Sequence, residues 1–381
     1  LMSKIKEIKA REIQDSRGKA TVEVELITDK GSFIASAPAG KSTGKNEAVA
    51  LPAQEAIKNI TEIIAPKLIG MDPTDQKGID ELMIQLDGTE NKSKLGANAI
   101  LTVSIALCRA GAAAEKVSLY EYIAKLSGYT LKSKELPYPM FNIINGGAHA
   151  ENDLDIQEFM IVPQKKTFSE NLVIGSNIFN NLTAILKESY GEVPALGDEG
   201  GYAPKIAQAE QALLMLKNAI GNEENVKISL DCAASEFYHE GKYVLAGKEY
   251  SRAEMVEFYK DLASRFPIIT IEDPFEEADW EGFKDIHKEL SDIVIIGDDL
   301  TTTNIKMIKE AESKKACNGI IIKLNQIGSV SETIAAINMA KSYGWKIVVS
   351  HRSGETMDDF IADLAAGAGA DFLKSGSPSK P

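Results

Sequence analysis

Six short apolar runs in the second half of the chain each lead into an ionisable side chain. Lys227–Asp231 ends in Asp231, Ile268–Glu272 in Glu272 and Ile293–Asp298 in Asp298; Gly319–Lys323 ends in Lys323, Lys346–Ser350 precedes His351, and Phe372–Lys374 ends in Lys374. An isolated carboxylate after a strand commonly caps the helix that follows. Six strands in succession ask for another explanation. The C-terminal ends of parallel barrel strands converge on one face, so Asp231, Glu272 and Asp298 would meet there and repel unless a proton or cation neutralises them. A hard cation with oxygen ligands, Mg²⁺ above all, suits that set. Lys323 and Lys374 would share the neighbourhood. Each cation disfavours its neighbour's charged form, so a neutral amine able to act as a base is expected.

The elements that carry these residues follow from the same runs. They alternate with amphipathic helical stretches, the pattern of βα units in a parallel sheet. Two earlier runs, Phe141–Asn145 and Glu158–Val162, bring the count to eight, the number that closes a barrel. Upstream, residues 5–38 alternate in strand fashion, as in Ala20-Thr21-Val22-Glu23-Val24-Glu25-Leu26, with Asp29-Lys30-Gly31 as a turn. From Pro52 to about Leu126 the periodicity is helical. A small antiparallel meander followed by helices predicts an α+β domain. Ser127 to Pro139 reads as a linker, which divides the chain into an N-terminal domain, 1–133, and a C-terminal barrel, 134–381.

Composition narrows the class of protein. The chain has 381 residues, 44% hydrophobic and 26% charged, ordinary for a globular protein with more than one core. A net charge of −14 disfavours nucleic acid and anionic membranes, so a phosphate ligand would need locally concentrated cations. Cys108, Cys232 and Cys317 form no CxxC pair and read as reduced, buried thiols, which points to the cytoplasm. The Ala-rich stretch around 96–114, interrupted by Cys108-Arg109, reads as too polar to span a membrane.

Eight strings, in order over nearly the whole chain, carry a family resemblance. They are Asp87-Gly88-Thr89-Glu90-Asn91-Lys92-Ser93, Leu95-Gly96-Ala97-Asn98-Ala99-Ile100-Leu101, Asn142-Ile143-Ile144-Asn145-Gly146-Gly147, Gln157-Glu158-Phe159-Met160, Gly197-Asp198-Glu199-Gly200-Gly201, Ile271-Glu272-Asp273-Pro274, Asn325-Gln326-Ile327-Gly328 and Ser350-His351-Arg352-Ser353-Gly354-Glu355-Thr356. Together they resemble the enolases. The resemblance implies an α/β fold: a TIM-like barrel with an atypical antiparallel start, beside an α+β domain with a three-stranded meander. It implies the reversible, Mg²⁺-dependent dehydration of 2-phosphoglycerate to phosphoenolpyruvate in glycolysis and gluconeogenesis, by a cytoplasmic homodimer or higher homo-oligomer. Pairing a Lys base with Mg²⁺ is the established pattern of that superfamily rather than something the spacing shows.

Carried residue by residue, the resemblance makes Asp231, Glu272 and Asp298 ligands of a first Mg²⁺. Ser42 would help bind a second, arriving with substrate. Lys323 would be the base at C2. Glu199 would be the acid at the C3 hydroxyl, its carboxyl raised by neighbouring Glu158. Gln157, His149, His351 and Lys374 would contact substrate, and Arg352 with Ser353 would clamp phosphate. Gly146-Gly147 reads as a hinge beside His149. Two other readings stand beside this one: an enolase-like binding protein with weakened catalysis, and another lyase of the superfamily acting on a different carboxylate.

The chain departs from the family pattern at four places. Lys19-Ala20 follow Ser16-Arg17-Gly18, and Ala39-Gly40-Lys41-Ser42-Thr43-Gly44 puts a cation in the loop before Ser42. Ala48-Val49-Ala50-Leu51-Pro52 replaces an acidic and basic segment. The family's last barrel helix would follow beyond Pro381, leaving an apolar flank on the barrel where it is missing.

Overall fold

The computed structural model describes residues 3–41, 44–132 and 136–379. The boundary expected at 133/134, and Ser42, lie outside the described residues. β1 (Ile5–Gln14), β2 (Ala20–Thr28) and β3 (Gly31–Ser36) form the expected antiparallel meander in the order β1-β2-β3. The alternation in β2 turns Val22, Val24 and Leu26 inward, where all three are fully buried. They pack against the helix Ala97–Glu115. That helix is long and apolar enough to cross a membrane by length and composition, which corrects the expectation from Arg109; 83% of its apolar window is buried, so it is the core helix of this half.

Eight strands close a barrel. In chain order they are β4 (Tyr138–Asn145), β5 (Glu158–Pro163), β6 (Val226–Asp231), β10 (Ile268–Glu272), β11 (Val294–Gly297), β12 (Gly319–Ile322), β13 (Lys346–Ser350) and β14 (Phe372–Lys374). Three short strands, β7 (Tyr238–His239), β8 (Lys242–Leu245) and β9 (Lys248–Tyr250), make a separate sheet between β6 and β10. Around the barrel the order is β10-β11-β12-β13-β14-β4-β5-β6. β5 is antiparallel to both β4 and β6, and the other neighbours are parallel. Met140, Met160, Val162, Ile296, Ile321, Val348 and Phe372 fill the interior, so the barrel is a packed core whose chemistry is confined to its mouth.

The first half of the chain is fastened over that mouth. Arg109 forks onto Asp358 with two bonds of 2.8 Å, and Ala39 pairs with Gly354 as an antiparallel bridge. Asp80, fully buried on the helix Gln76–Asp87, accepts from the Ser331 N–H at the start of the helix Val330–Ser342. Burial pushes the Asp80 carboxyl above its usual range, against hydrogen bonds from Ser331, Ser104 and Gln76 that lower it. Folded Asp80 thus keeps its proton to higher pH than unfolded Asp80, and stability falls as pH rises from the unfolded value through the folded one. Asp80→Asn removes this charge and keeps an acceptor. We expect thermal melts at pH 8 to show a gain of roughly 2–4 °C, the shift that about 1 kcal/mol produces, vanishing near pH 4. A lower melting temperature at pH 8 would refute this.

Candidate active site

Strand register brings the carboxylates together. Asp231 pairs in register with Glu272 on one side and Glu158 on the other, and Ser350 lies beside Lys374. Asp231, Glu272 and Lys374 close their strands; Asp298, Lys323 and His351 follow theirs directly. Glu158 opens its strand, yet it reaches the same face because β5 runs in reverse. Six of these seven are buried and Lys323 is partly so. All but Glu272 line one cleft, together with His149, Gln157, Glu199, Arg352 and Ser353.

Lys374 is the centre of the charge arrangement. Its Nζ lies 2.9 Å from carboxylate oxygens of Glu158, Asp231 and Glu272 alike. Lys323 is paired with Asp298, which also accepts 2.9 Å from Gln326 Nε2. These pairings correct the expectation of a depressed lysine. Burial alone lowers the Lys323 amine, but the Asp298 charge outweighs it and the net direction is up. For Lys374, Asp231, Glu158 and Glu272 likewise overcome burial. Glu272 is raised by burial first and by Asp231 next, and its Oε1 has no hydrogen-bond partner among the described residues.

That orphaned buried oxygen, in an oxygen-only donor set, is what a hard divalent cation would satisfy. Asp231, Glu272 and Asp298 therefore fit a hard divalent cation. Their ligand atoms are not the tightest clusters present. Among the described residues, Asp273, Asp298 and Asp299 form one group with ligand atoms within 4.8 Å, and His149, Glu158 and Glu199 form another.

Across the mouth, Glu199 stands in the loop 197–202. That loop is bonded to the end of β4, with Asn145 N–H donating to Tyr202 O at 2.9 Å and Gly201 N–H to Asn145 Oδ1 at 3.1 Å. Gly197 permits this approach, since a Cβ there would lie 2.7 Å from both Asn145 Cβ and His149 O. Asn142 Nδ2 donates to Glu199 Oε2 at 2.8 Å, and His149 Nδ1 is 3.3 Å from Oε1. The directions of the two carboxyls run opposite to the expectation of a raised Glu199. Burial, then the Glu199 charge, raises Glu158 well above the carboxylate range. Burial would raise Glu199 too, but the adjoining Glu158 carboxyl and the His149 and His351 rings outweigh it and hold Glu199 low. Burial also pushes the His351 ring down to about 4, so it is neutral at physiological pH.

Arg352 and Gly146 carry contacts that the sequence did not show. Arg352 lies on Glu47, at 3.1 and 3.2 Å, and donates to Asn325 Oδ1 at 2.8 Å, while Ser353 Oγ accepts from Lys41 N–H at 2.9 Å. The fork meant for phosphate thus holds a carboxylate of the first half of the chain. Gly146 is a close-approach glycine rather than a hinge: a Cβ there would lie 2.4 Å from Ile156 O. Gln157 Nε2 reaches Asp231 Oδ2 at 3.3 Å.

Sequence reasoning missed Glu47, Asn142, Asp273 and Gln326. Asp273 accepts from the Asp298 and Asp299 N–H groups, at 2.9 and 2.8 Å, and so sets the loop that carries Asp298. Asn142, Asp273 and Gln326 stood inside strings already singled out, whereas Glu47 carried no such signal.

Comparison with known proteins agrees with this geometry. Residues 133–381 match the family described as "Enolase, C-terminal TIM barrel domain", and residues 5–123 match "Enolase, N-terminal domain". The chain is 48% identical to the enolase of Elusimicrobium minutum (strain Pei191), in an alignment covering 100% of this chain and 93% of that one. The chain belongs to the enolase family, whose members are lyases.

Proposed function

We propose that this chain is a phosphopyruvate hydratase that interconverts 2-phosphoglycerate and phosphoenolpyruvate with two Mg²⁺ ions. One observation carries the reading. Lys323 follows β12, and the Glu158–Glu199 pair stands at β5, four strands away around an eight-stranded ring and so diametrically opposite. A base and an acid facing each other across a carboxylate-lined cleft suit a reaction that removes a proton from one carbon and hydroxide from the next.

Asp231, Glu272 and Asp298 would hold the first ion, and Ser42 would contribute to the second. Bound there, Mg²⁺ supplies electrostatic stabilisation of the charge that grows on the substrate carboxylate. Lys323, relieved of its pairing with Asp298, takes the C2 proton at Nζ. Glu199 protonates the departing C3 hydroxyl, its proton drawn from the one it shares with Glu158. Lys374, His149, Gln157 and the neutral His351 ring fix the substrate between them. Arg352 exchanges Glu47 for phosphate, with Ser353 beside it.

The direct test follows phosphoenolpyruvate by its ultraviolet absorbance. Turnover is expected with Mg²⁺, and its loss on chelation, restored by added metal. A folded sample that forms no phosphoenolpyruvate under any of these conditions sinks the assignment. The same reading makes the protein a cytoplasmic homo-oligomer; a monomer mass by light scattering would count against the assembly alone.

A further inference from the structure

We propose that Lys41 is a positioning residue that latches the first half of the chain onto the two barrel loops bearing His149 and Glu199. Lys41 follows the Ala39–Gly354 bridge, in which each residue's N–H donates to the other's carbonyl at 2.9 Å. Its own N–H donates to Ser353 Oγ at 2.9 Å. Its Nζ then spans the cleft, donating to Ala148 O at 2.6 Å and to Asp198 Oδ2 at 2.9 Å. Ala148 precedes His149 and Asp198 precedes Glu199. The two barrel loops are already joined by Asp198 N–H donating to His149 O at 3.0 Å. One ammonium therefore closes a ring of three segments that are remote in sequence.

The direction of the side chain decides between two roles for this cation. A phosphate ligand would aim Nζ at Arg352 and Ser353; here Nζ is engaged by a carboxylate and a carbonyl on the acid side of the cleft. The latch is modest, because the Lys41 and Asp198 side chains are 44% and 31% exposed. Its pair and its hydrogen bond together are worth roughly a three- to tenfold shift in how often residues 39–41 are held in place. Holding residues 39–41 in place before substrate arrives lowers the ordering cost of binding, so the latch acts on KM rather than on the chemical step.

The kinetic half of this proposal rests on the phosphopyruvate hydratase reading, so the test has a half that does not. Hydrogen exchange of the peptide spanning 39–47 is compared in the substrate-free wild type, Lys41→Met, Asp198→Asn and the double variant. Exchange roughly three- to tenfold faster in Lys41→Met, a smaller rise in Asp198→Asn, which keeps the Ala148 bond, and no rise in the double beyond that of Lys41→Met is the expected result. Lys41→Arg should restore wild-type protection. Unchanged exchange in both single variants overturns the latch whatever the enzyme does. In turnover, both single variants should raise KM for 2-phosphoglycerate, Lys41→Met the more, with kcat altered less than twofold. A raised KM in Lys41→Met with Asp198→Asn silent would assign Lys41 to the phosphate instead. If wild type forms no product, the reaction is wrongly assigned, and the exchange data still judge the latch.

Discussion

Replacing Lys323 by alanine should lower kcat by roughly 10²–10⁴-fold, the range that a positioned general base contributes. Exchange of the C2 proton of 2-phosphoglycerate with solvent should disappear with it. The structure sharpens why. The Asp298 charge beside Lys323 pushes the amine up, so a cation that took up that carboxylate would free the amine to act as a base. Base activity and metal loading are thus coupled through one residue, and exchange in the wild type should cease on chelation. Metal binding should survive in Lys323→Ala, because Asp231, Glu272 and Asp298 all remain. Isotope exchange followed by NMR, beside calorimetric Mg²⁺ titration, separates the two. Retained C2 exchange in the variant would assign the base elsewhere.

Lys374→Met should be the most destabilising change at the mouth. It removes the ammonium from Glu158, Asp231 and Glu272, each 2.9 Å away, and leaves buried carboxylates facing one another. Removing one partner of a buried ion pair costs about 3–5 kcal/mol. The sign with pH follows from Glu272, which burial and Asp231 already raise above the usual carboxylate range despite Lys374. A raised carboxyl binds its proton more tightly in the folded chain than in the unfolded one. Stability is then greatest below the unfolded carboxylate value and falls as pH rises through the folded value. The deficit of Lys374→Met should therefore widen from pH 5 to pH 8 in chelator, since a proton replaces the lost ammonium only at the acid end. Mg²⁺ should recover part of it at pH 8. Denaturation profiles with and without Mg²⁺ report this without reference to catalysis. A deficit that narrows toward pH 8, or that Mg²⁺ leaves unchanged, would refute the carboxylate cage.

Much of this site was legible in the sequence, because the end of a parallel barrel strand has only one place to be. Asp231, Glu272 and Lys374 close their strands, and Asp298, Lys323 and His351 follow theirs, so apolar runs of the right length put all six at one mouth. Their charge states were not legible. A lysine beside a lysine predicts a depressed amine, but Asp298 is in contact with Lys323 and three carboxylates lie 2.9 Å from Lys374, and Coulomb energy follows distance rather than sequence order. The proton shared by Glu158 and Glu199 went to the more deeply penalised partner for a similar reason: Asn142 and His149 stabilise the charge on Glu199. Alternation in a short apolar run leaves strand direction open, so the expectation of Glu158 at the mouth came from the family resemblance, with its antiparallel start, and β5 does run against both neighbours. Arg352 makes the same point across a longer span, since its fork met Glu47 from the other half of the chain. The local pattern thus determined which residues face the cleft, because periodicity and strand length are local properties. Tertiary structure decided what each of them holds, because a charge responds to whatever lies within a few ångströms, however far away it was made in the chain.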